Sequence, residues 1–356
     1  MSSLLPLLLI STRFVEGLAL MFPLHLQAEW IQIKDAPLIL PKRSGHVAFN
    51  TKDGRLLVFG GYAEEGDEKR RTVTNDMWEW KNQGWISVQQ SGEIPGPRLV
   101  SAVGLVAEIP YLLGGWDPQD QGTGGIILDT VHKLDANTNE WTLLKDVALP
   151  GGSTSRHVCL SLPNNLLLLH THRCTDHVYL FDGHVFTKQS TTGEAPSCRG
   201  LHSATMLSDT HALFFAGAAQ DGTMSNECFV LNTSTWQWNR VEIDKGSPLP
   251  SPRASPCLCQ YSNYCAIAFG GASRGTAGLQ PEGDVWALHL DDNYQTGVWV
   301  QLSPQGPPPR NAATLNLVSN LNDGTKEYLL QGGWAPFVET YSDCFILRIK
   351  EKDYVK

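Results

Sequence analysis

The chain has 356 residues, 42% hydrophobic and 18% charged, a globular composition that excludes wholesale disorder. Its net charge of −9 excludes a broad nucleic-acid-binding face, because phosphate recognition needs an extended basic surface. The 33 glycines and 21 prolines suit many short strands joined by tight turns.

The N-terminal stretch differs in character from the remainder of the chain. Leu4 to Ile10 and Leu18 to Leu26 are apolar, but Arg13 and Glu16 interrupt them. A spanning helix needs about twenty uninterrupted apolar residues, so no integral membrane span is expected. A signal peptide would want a positive n-region and a small-x-small cleavage site, neither of which is convincing here, and a targeting segment is the alternative to a loosely attached extension. Residues 1–28 are read as an extension outside the fold, 29–350 as the folded unit, and 351–356 as a C-terminal tail.

From residue 43 onward, three landmarks recur at roughly fifty to sixty residues, the signature of a repeat array. They are an arginine before an apolar stretch, a diglycine closing the next strand, and an Asn/Asp-x-aromatic strand followed by one carrying tryptophan. The first unit reads Arg43-Ser44-Gly45-His46, Gly60-Gly61, Asn75-Asp76-Met77-Trp78 and Trp85. The second has Arg98, Gly114-Gly115, Asp129-Thr130-Val131-His132 and Trp141. The third opens on Ser155-Arg156-His157, carries His170-Thr171 where the diglycine is expected, and has Phe186 in the tryptophan position. The fourth has Arg199, Gly217-Ala218, Asn226-Glu227-Cys228-Phe229 and Trp238; the fifth Arg253, Gly270-Gly271, Asp284-Val285-Trp286 and Trp299. The sixth has Arg310, Gly332-Gly333 and Asp343-Cys344-Phe345, and no tryptophan strand comes after it. The missing strand is supplied by Glu29-Trp30-Ile31-Gln32-Ile33, which matches Trp85-Ile86-Ser87-Val88 and Trp299-Val300-Gln301-Leu302. Pairing the termini removes the open edges of a linear array.

These landmarks resemble the kelch family over about residues 29 to 350. The resemblance implies an all-β, six-bladed kelch β-propeller whose last blade is closed by the N-terminal strand. The diglycine suits positive φ and close backbone approach near the axis, and the aromatics suit packing between blades. The eight cysteines form no C-x-x-C pair and read as reduced thiols, with a cytoplasmic location expected.

In an up-and-down blade, the second-to-third-strand loops and the inter-blade loops share one face. Arg43, Arg98, Arg156, Arg199, Arg253 and Arg310 are therefore expected around one mouth of the channel, with Ser44, Tyr62, Trp116 and Trp334 beside them. Guanidinium forks match carboxylates, and aromatics add contact area at low entropic cost. Kelch proteins similar to this one bind acidic peptides or chain-terminal carboxylates on such a face. The mixed-charge stretch from Ala63 to Arg71 and the polar stretch from Asp117 to Gly125 read as long loops above it.

One cluster invites metal chemistry. His170, His172, Cys174 and His177 offer three nitrogens and a thiolate, and alternation would put His170 and His172 on one side of a strand. It occupies a degenerate hairpin, so no metal site and no cofactor is expected. Nucleophile-elbow, P-loop, Rossmann and H-E-x-x-H motifs are all missing. The iron pattern of kelch-type specifier proteins begins at Glu339 and Asp343, but Leu347 stands where its histidine belongs. The reading is a non-catalytic interaction scaffold, monomeric, serving as adaptor, trafficking effector or ubiquitin-ligase substrate receptor. A metal-dependent propeller enzyme is the alternative.

Overall fold

A computed structural model describes residues 25–34, 40–65, 70–119, 124–276, 278–302 and 304–352. Most of the N-terminal extension, residues 1–24, lies outside the described residues.

Among the described residues, six mainly antiparallel sheets of four or five strands succeed one another along the chain, beside three smaller ones. The first blade runs Val47–Asn50, Leu56–Glu65, Arg70–Lys81 and Gly84–Ser87. The second runs Ala102–Val106, Ile109–Leu113, Val131–Asp135 and Glu140–Leu143. The third runs Val158–Ser161, Leu167–His170, His177–Phe181 and Phe186–Ser190. Ser203–Ser208, His211–Phe215, Cys228–Asn232 and Gln237–Arg240 form the fourth. Cys257–Ser262, Cys265–Phe269, Val285–Leu290 and Thr296–Leu302 form the fifth. The sixth contributes Thr314–Asn320, Lys326–Gln331 and Cys344–Glu351, and Leu26–Gln32 pairs antiparallel with the last of these. The closing strand thus starts at Leu26, ahead of the Glu29 that the tryptophan pattern marked.

Burial results from this stacking. Second and third strands are covered on both faces by neighbouring blades, so Leu167–His170, Cys265–Phe269 and Val285–Leu290 are buried throughout. First strands near the axis alternate instead, as in Ala102–Val106. Each apolar cluster joins two consecutive blades, and the last joins Leu56, Val58 and Trp85 of the first blade to Leu329 and Ile346 of the sixth. The ring is closed.

Fourth-strand aromatics make these joints. Trp141 packs on Phe59 of the preceding blade at 5.3 Å, Trp299 on Phe215 at 5.0 Å, and Trp30 on Phe269 at 5.0 Å. Trp238 meets His170 at 5.8 Å, and the Trp85 indole donates to Gln331 Oε1 at 2.8 Å. Every partner directly precedes the diglycine or the residues in its place, so one contact serves junction after junction.

The diglycine bonds blades edge to edge. Gly61 N–H donates to Arg98 O of the next blade at 2.8 Å, Gly271 to Arg310 O at 2.9 Å, and Gly333 to Arg43 O at 2.9 Å. A Cβ on Gly61, at φ 100°, would lie 2.8 Å from the His46 Cβ, so glycine is required there.

The stretches read as long loops carry more structure than that. Leu56–Glu65 and Arg70–Lys81 continue their pairing up to Glu65 and Arg70, so Ala63 to Glu65 and Arg70 to Arg71 are paired strand, while residues 66–69 lie outside the described residues. Trp116 and Asp117 pair with Ile127 and Ile126, and residues 120–123 again lie outside the described residues.

Candidate functional site

The repeat arginines lie at one mouth, but their guanidinium groups turn into the protein. Arg43, Arg253 and Arg310 are at most 1% exposed. Arg43 donates to both oxygens of Asp76 at 3.0 and 2.8 Å and to Gly60 O at 3.0 Å. Arg253 grips Asp284 and Gly270 O in the same way, and Arg310 grips Asp343 and Gly332 O. Arg199 bonds Glu227 at 2.8 Å. Among the described residues Arg98 donates to neutral partners, Gly96 O, Gly114 O and Thr130 Oγ1, and burial lowers its pKa to about 10. Burial would raise the Asp76 and Asp284 carboxyl groups, yet hydrogen bonds and charge from the arginines leave them below the usual range. The partners Asp76, Thr130, Glu227, Asp284 and Asp343 occupy the position two residues before each third-strand aromatic or its substitute. The sequence displayed these side chains without their role as arginine partners.

The third blade departs from the pattern, and its landmarks move. Thr154 takes the place of the repeat arginine: its N–H donates to Leu128 O and its carbonyl receives Gly115 N–H, as Arg98 bonds Thr74 O and Gly61 N–H. Val158 pairs with His170 as Val47 pairs with Phe59, so Thr171-His172 replaces the diglycine. This corrects the reading of His170-Thr171 in that position. His177 falls at the carboxylate position, with its Nδ1 2.6 Å from Asp176. The third blade has no buried arginine pair. At its junction with the fourth blade, His170 Nδ1 meets His202 Nε2 at 3.0 Å.

Arg156 consequently sits two positions beyond the repeat arginine. Its equivalents are Gly45, Val100, Leu201, Ser255 and Ala312, and all six adopt left-handed φ between 49° and 66°. They form a closed ring of backbone hydrogen bonds. Val100 N–H donates to Gly45 O, Arg156 to Val100, Leu201 to Arg156, Ser255 to Leu201, Ala312 to Ser255, and Gly45 to Ala312, at 2.7–3.4 Å. The ring encircles an axial pocket of about 190 Å³. Arg156 alone among the six predicted arginines is exposed. Its guanidinium lies 5.5 Å from the centre of the Trp116 ring and makes no ion pair with a carboxylate among the described residues.

The predicted rim residues stand beside this ring. Tyr62 pairs with Ser44, Trp116 bridges to Leu99, and Trp334 bridges to Asn311, each half-buried. Arg71, expected in a loop, stacks 5.2 Å from the centre of the Trp334 ring. Phe337 and Val338 come shortly after Trp334 and are 86% and 72% exposed.

The histidine-rich stretch does not converge. His170 ends its strand buried and His172 lies exposed in the turn that follows, so the two share no face. Cys174 is buried, with burial raising its pKa. Among the described residues no group of three or more His, Cys, Asp or Glu is disposed to hold a metal ion.

Closed ring, diglycine edge bonds and inter-blade tryptophans define a β-propeller. Residues 169–356, just over half of the chain, match the KLHDC2/KLHL20/DRC7 Kelch-repeats domain, and the chain belongs to the kelch-repeat family. It is 25% identical to Kelch domain-containing protein 2 of Bos taurus over 313 residues, covering 78% of this chain and 73% of that one. It is 27% identical to Acyl-CoA-binding domain-containing protein 4 of Arabidopsis thaliana, covering 73% of this chain but only 38% of that relative. Among solved structures, YjhT superimposes with a TM-score of 0.62 at 14% identity, over 87% of this chain and 96% of that one, a likeness of fold. Kelch propellers serve protein interaction. No helix among the described residues is long and apolar enough to cross a membrane.

Proposed function

We propose that the propeller is a non-catalytic interaction module that receives an acidic or carboxylate-ended peptide at its arginine-side mouth. One observation carries this reading: Arg156 is exposed beside the axial pocket, stacked on Trp116 and unpaired with any carboxylate among the described residues. The buried arginines hold the blades that shape the mouth, and Arg156 supplies its accessible fork. Arg71 on Trp334 and the exposed Phe337 and Val338 extend the surface for neighbouring ligand residues. Adaptor, trafficking-effector and substrate-receptor roles all use such a module.

The test is a peptide library presented with free and with amidated C-termini to wild type and Arg156→Glu. Acidic or acid-ended peptides bind wild type and weaken by roughly tenfold or more with Arg156→Glu, while the melting temperature stays unchanged. Equal binding by the two proteins would place the ligand elsewhere.

A further inference from the structure

The outer edges of the blades are not all closed alike. In the second, fourth and fifth blades the linker arriving from the preceding blade adds a short parallel strand outside the fourth strand. Ser91–Gly92 lies beside Glu140–Leu143, Thr192–Gly193 beside Gln237–Arg240, and Glu242–Ile243 beside Thr296–Leu302. These covers engage outward carbonyls. Ser91 and Glu93 N–H donate to Asn139 O and Trp141 O at 3.1 and 2.8 Å, and Thr192 N–H donates to Trp236 O at 2.9 Å. Glycine permits the close approach, since a Cβ on Gly92 would lie 2.3 Å from Trp141 O and one on Gly193 2.2 Å from Trp238 O. In the first and sixth blades the corresponding linkers include residues 35–39 and 303, which lie outside the described residues.

The third blade has no such cover among the described residues. Its linker, from Leu144 to Gly152, folds into turns instead, with Val147 N–H on Leu144 O and Gly152 N–H on Leu149 O. Leu144, Val147 and Leu149 share an apolar cluster with Phe181 and Phe186, so the linker covers a face of the blade and leaves its edge. Phe186 stands opposite Phe181 as Trp141 does Leu134 and Trp238 does Leu231, which makes His184 O the counterpart of Asn139 O and Trp236 O. Among the described residues no hydrogen bond reaches His184 O. Phe186–Ser190 pairs on one side only, with His177–Phe181, and its other side presents free N–H and C=O groups. Phe186 is half-buried, whereas Trp141 and Trp238 are buried.

The covers of the other blades show what fits such an edge. Ser91-Gly92-Glu93-Ile94-Pro95 and Thr192-Gly193-Glu194-Ala195-Pro196 share one order: a hydroxyl residue, glycine, glutamate, an apolar residue and proline. Glu93 accepts from Leu143 N–H at 3.1 Å and pairs with Lys145 at 2.7 Å, and Glu194 pairs with Arg240 at 3.6 Å. Lys188 occupies the position of Leu143 and Arg240, two residues beyond the fourth-strand aromatic. Its side chain is 54% exposed, and its ion pair with Asp176 is long, at 3.7 Å.

We propose that the Phe186–Ser190 edge takes an extended segment of a partner protein as a parallel fifth strand, with a Ser/Thr-Gly-Glu core whose glutamate pairs with Lys188. Main-chain hydrogen bonds hold the segment, and the glycine and the glutamate select it. The edge belongs to the outermost strand of its blade, so this site is separate from the axial mouth.

The experiment adds a peptide of residues 89–96, acetylated and amidated, to the full chain and follows backbone amide resonances by NMR. Blocked ends deny the mouth a terminal carboxylate, so the two sites are not confused. Saturable shifts centred on residues 184–190 are expected, with slower hydrogen exchange at the Lys188 amide, the counterpart of Leu143 N–H. Gly92→Ala in the peptide weakens binding by roughly tenfold or more, and Glu93→Lys by roughly fivefold. Lys188→Glu in the chain weakens the parent peptide and regains the Glu93→Lys peptide, with an unchanged melting temperature because Lys188 is exposed. No binding at millimolar peptide, equal binding of all three peptides, or shifts centred on Glu140–Leu143 would each overturn the proposal. Self-association without peptide that Lys188→Glu abolishes, read by sedimentation, would assign the edge to a second copy and likewise overturn it.

Discussion

Arg310 has no exposed surface, yet it carries a full charge between Asp343 and Gly332 O. Removing one partner of a buried pair leaves the other charge desolvated without compensation, which typically costs about 3–5 kcal/mol. Asp343 keeps 25% of its side chain exposed, so Arg310→Met should cost about 3 kcal/mol, at the low end of that range. Replacing both groups, as Arg310→Met with Asp343→Leu, should recover much of it, because the orphaned charge goes too. Urea unfolding of the two variants measures the difference; a double variant no more stable than the single one would mean that the bond to Gly332 O dominates. The arginines were legible in the sequence as a repeated feature of one face. Their occupation was not, because each carboxylate lies about thirty residues downstream and only sheet register brings it near. The offset of Arg156 did have a signal. Arg43 and Arg199 precede His46 and His202 by three positions, whereas Arg156 directly precedes His157.

Among elements, the strand Leu26–Gln32 decides whether the molecule is a ring or an open array. It pairs residue by residue with Phe345–Glu351, and its Trp30 lies against Phe269 and Phe345. Without it, the last strand becomes a bare edge and the fifth blade loses a cover. Trp30→Ala should cost about 2 kcal/mol, less than the 3–5 kcal/mol of a fully buried aromatic, since Trp30 is only half-buried. Deleting residues 26–32 should lower the melting temperature of the entire chain, because every blade depends on two neighbours. Calorimetry that shows an unchanged melting temperature for the deletion would refute closure by this strand. Tryptophan spacing disclosed this element because the same side chain solves the same junction problem elsewhere. The start at Leu26 was hidden, since Leu26, Gln27 and Ala28 carry no repeat landmark and are placed by pairing with Ile349–Glu351.

At the scale of the whole molecule, the stacking that buries second strands also buries histidines, and it links stability to pH. Burial lowers His46 and His170 to about 3 and His132, His157 and His289 to about 4, and it holds His202 well below the usual range. In the unfolded chain these imidazoles titrate near their ordinary value of about 6.5. As pH falls below that value, the unfolded state binds protons that the folded state refuses, so stability declines. The loss begins near pH 6.5 and continues towards about 4 to 3, where the folded imidazoles charge in turn. Asp76, Glu227 and Asp284, held below the usual carboxylate range by their arginines against the effect of burial, add a loss of the same sign at more acid pH. Above about pH 7 neither set changes its protonation, so that limb should be flat. The urea midpoint should therefore be constant from about pH 7 to 8 and fall steeply between about pH 6.5 and 5, with an uptake of several protons on unfolding. His170→Phe, which fits the position before the diglycine held by Phe59, Phe215 and Phe269 elsewhere, should reduce that steepness by close to one proton. An unchanged slope in this variant would mean that His170 is not among the groups the fold keeps neutral.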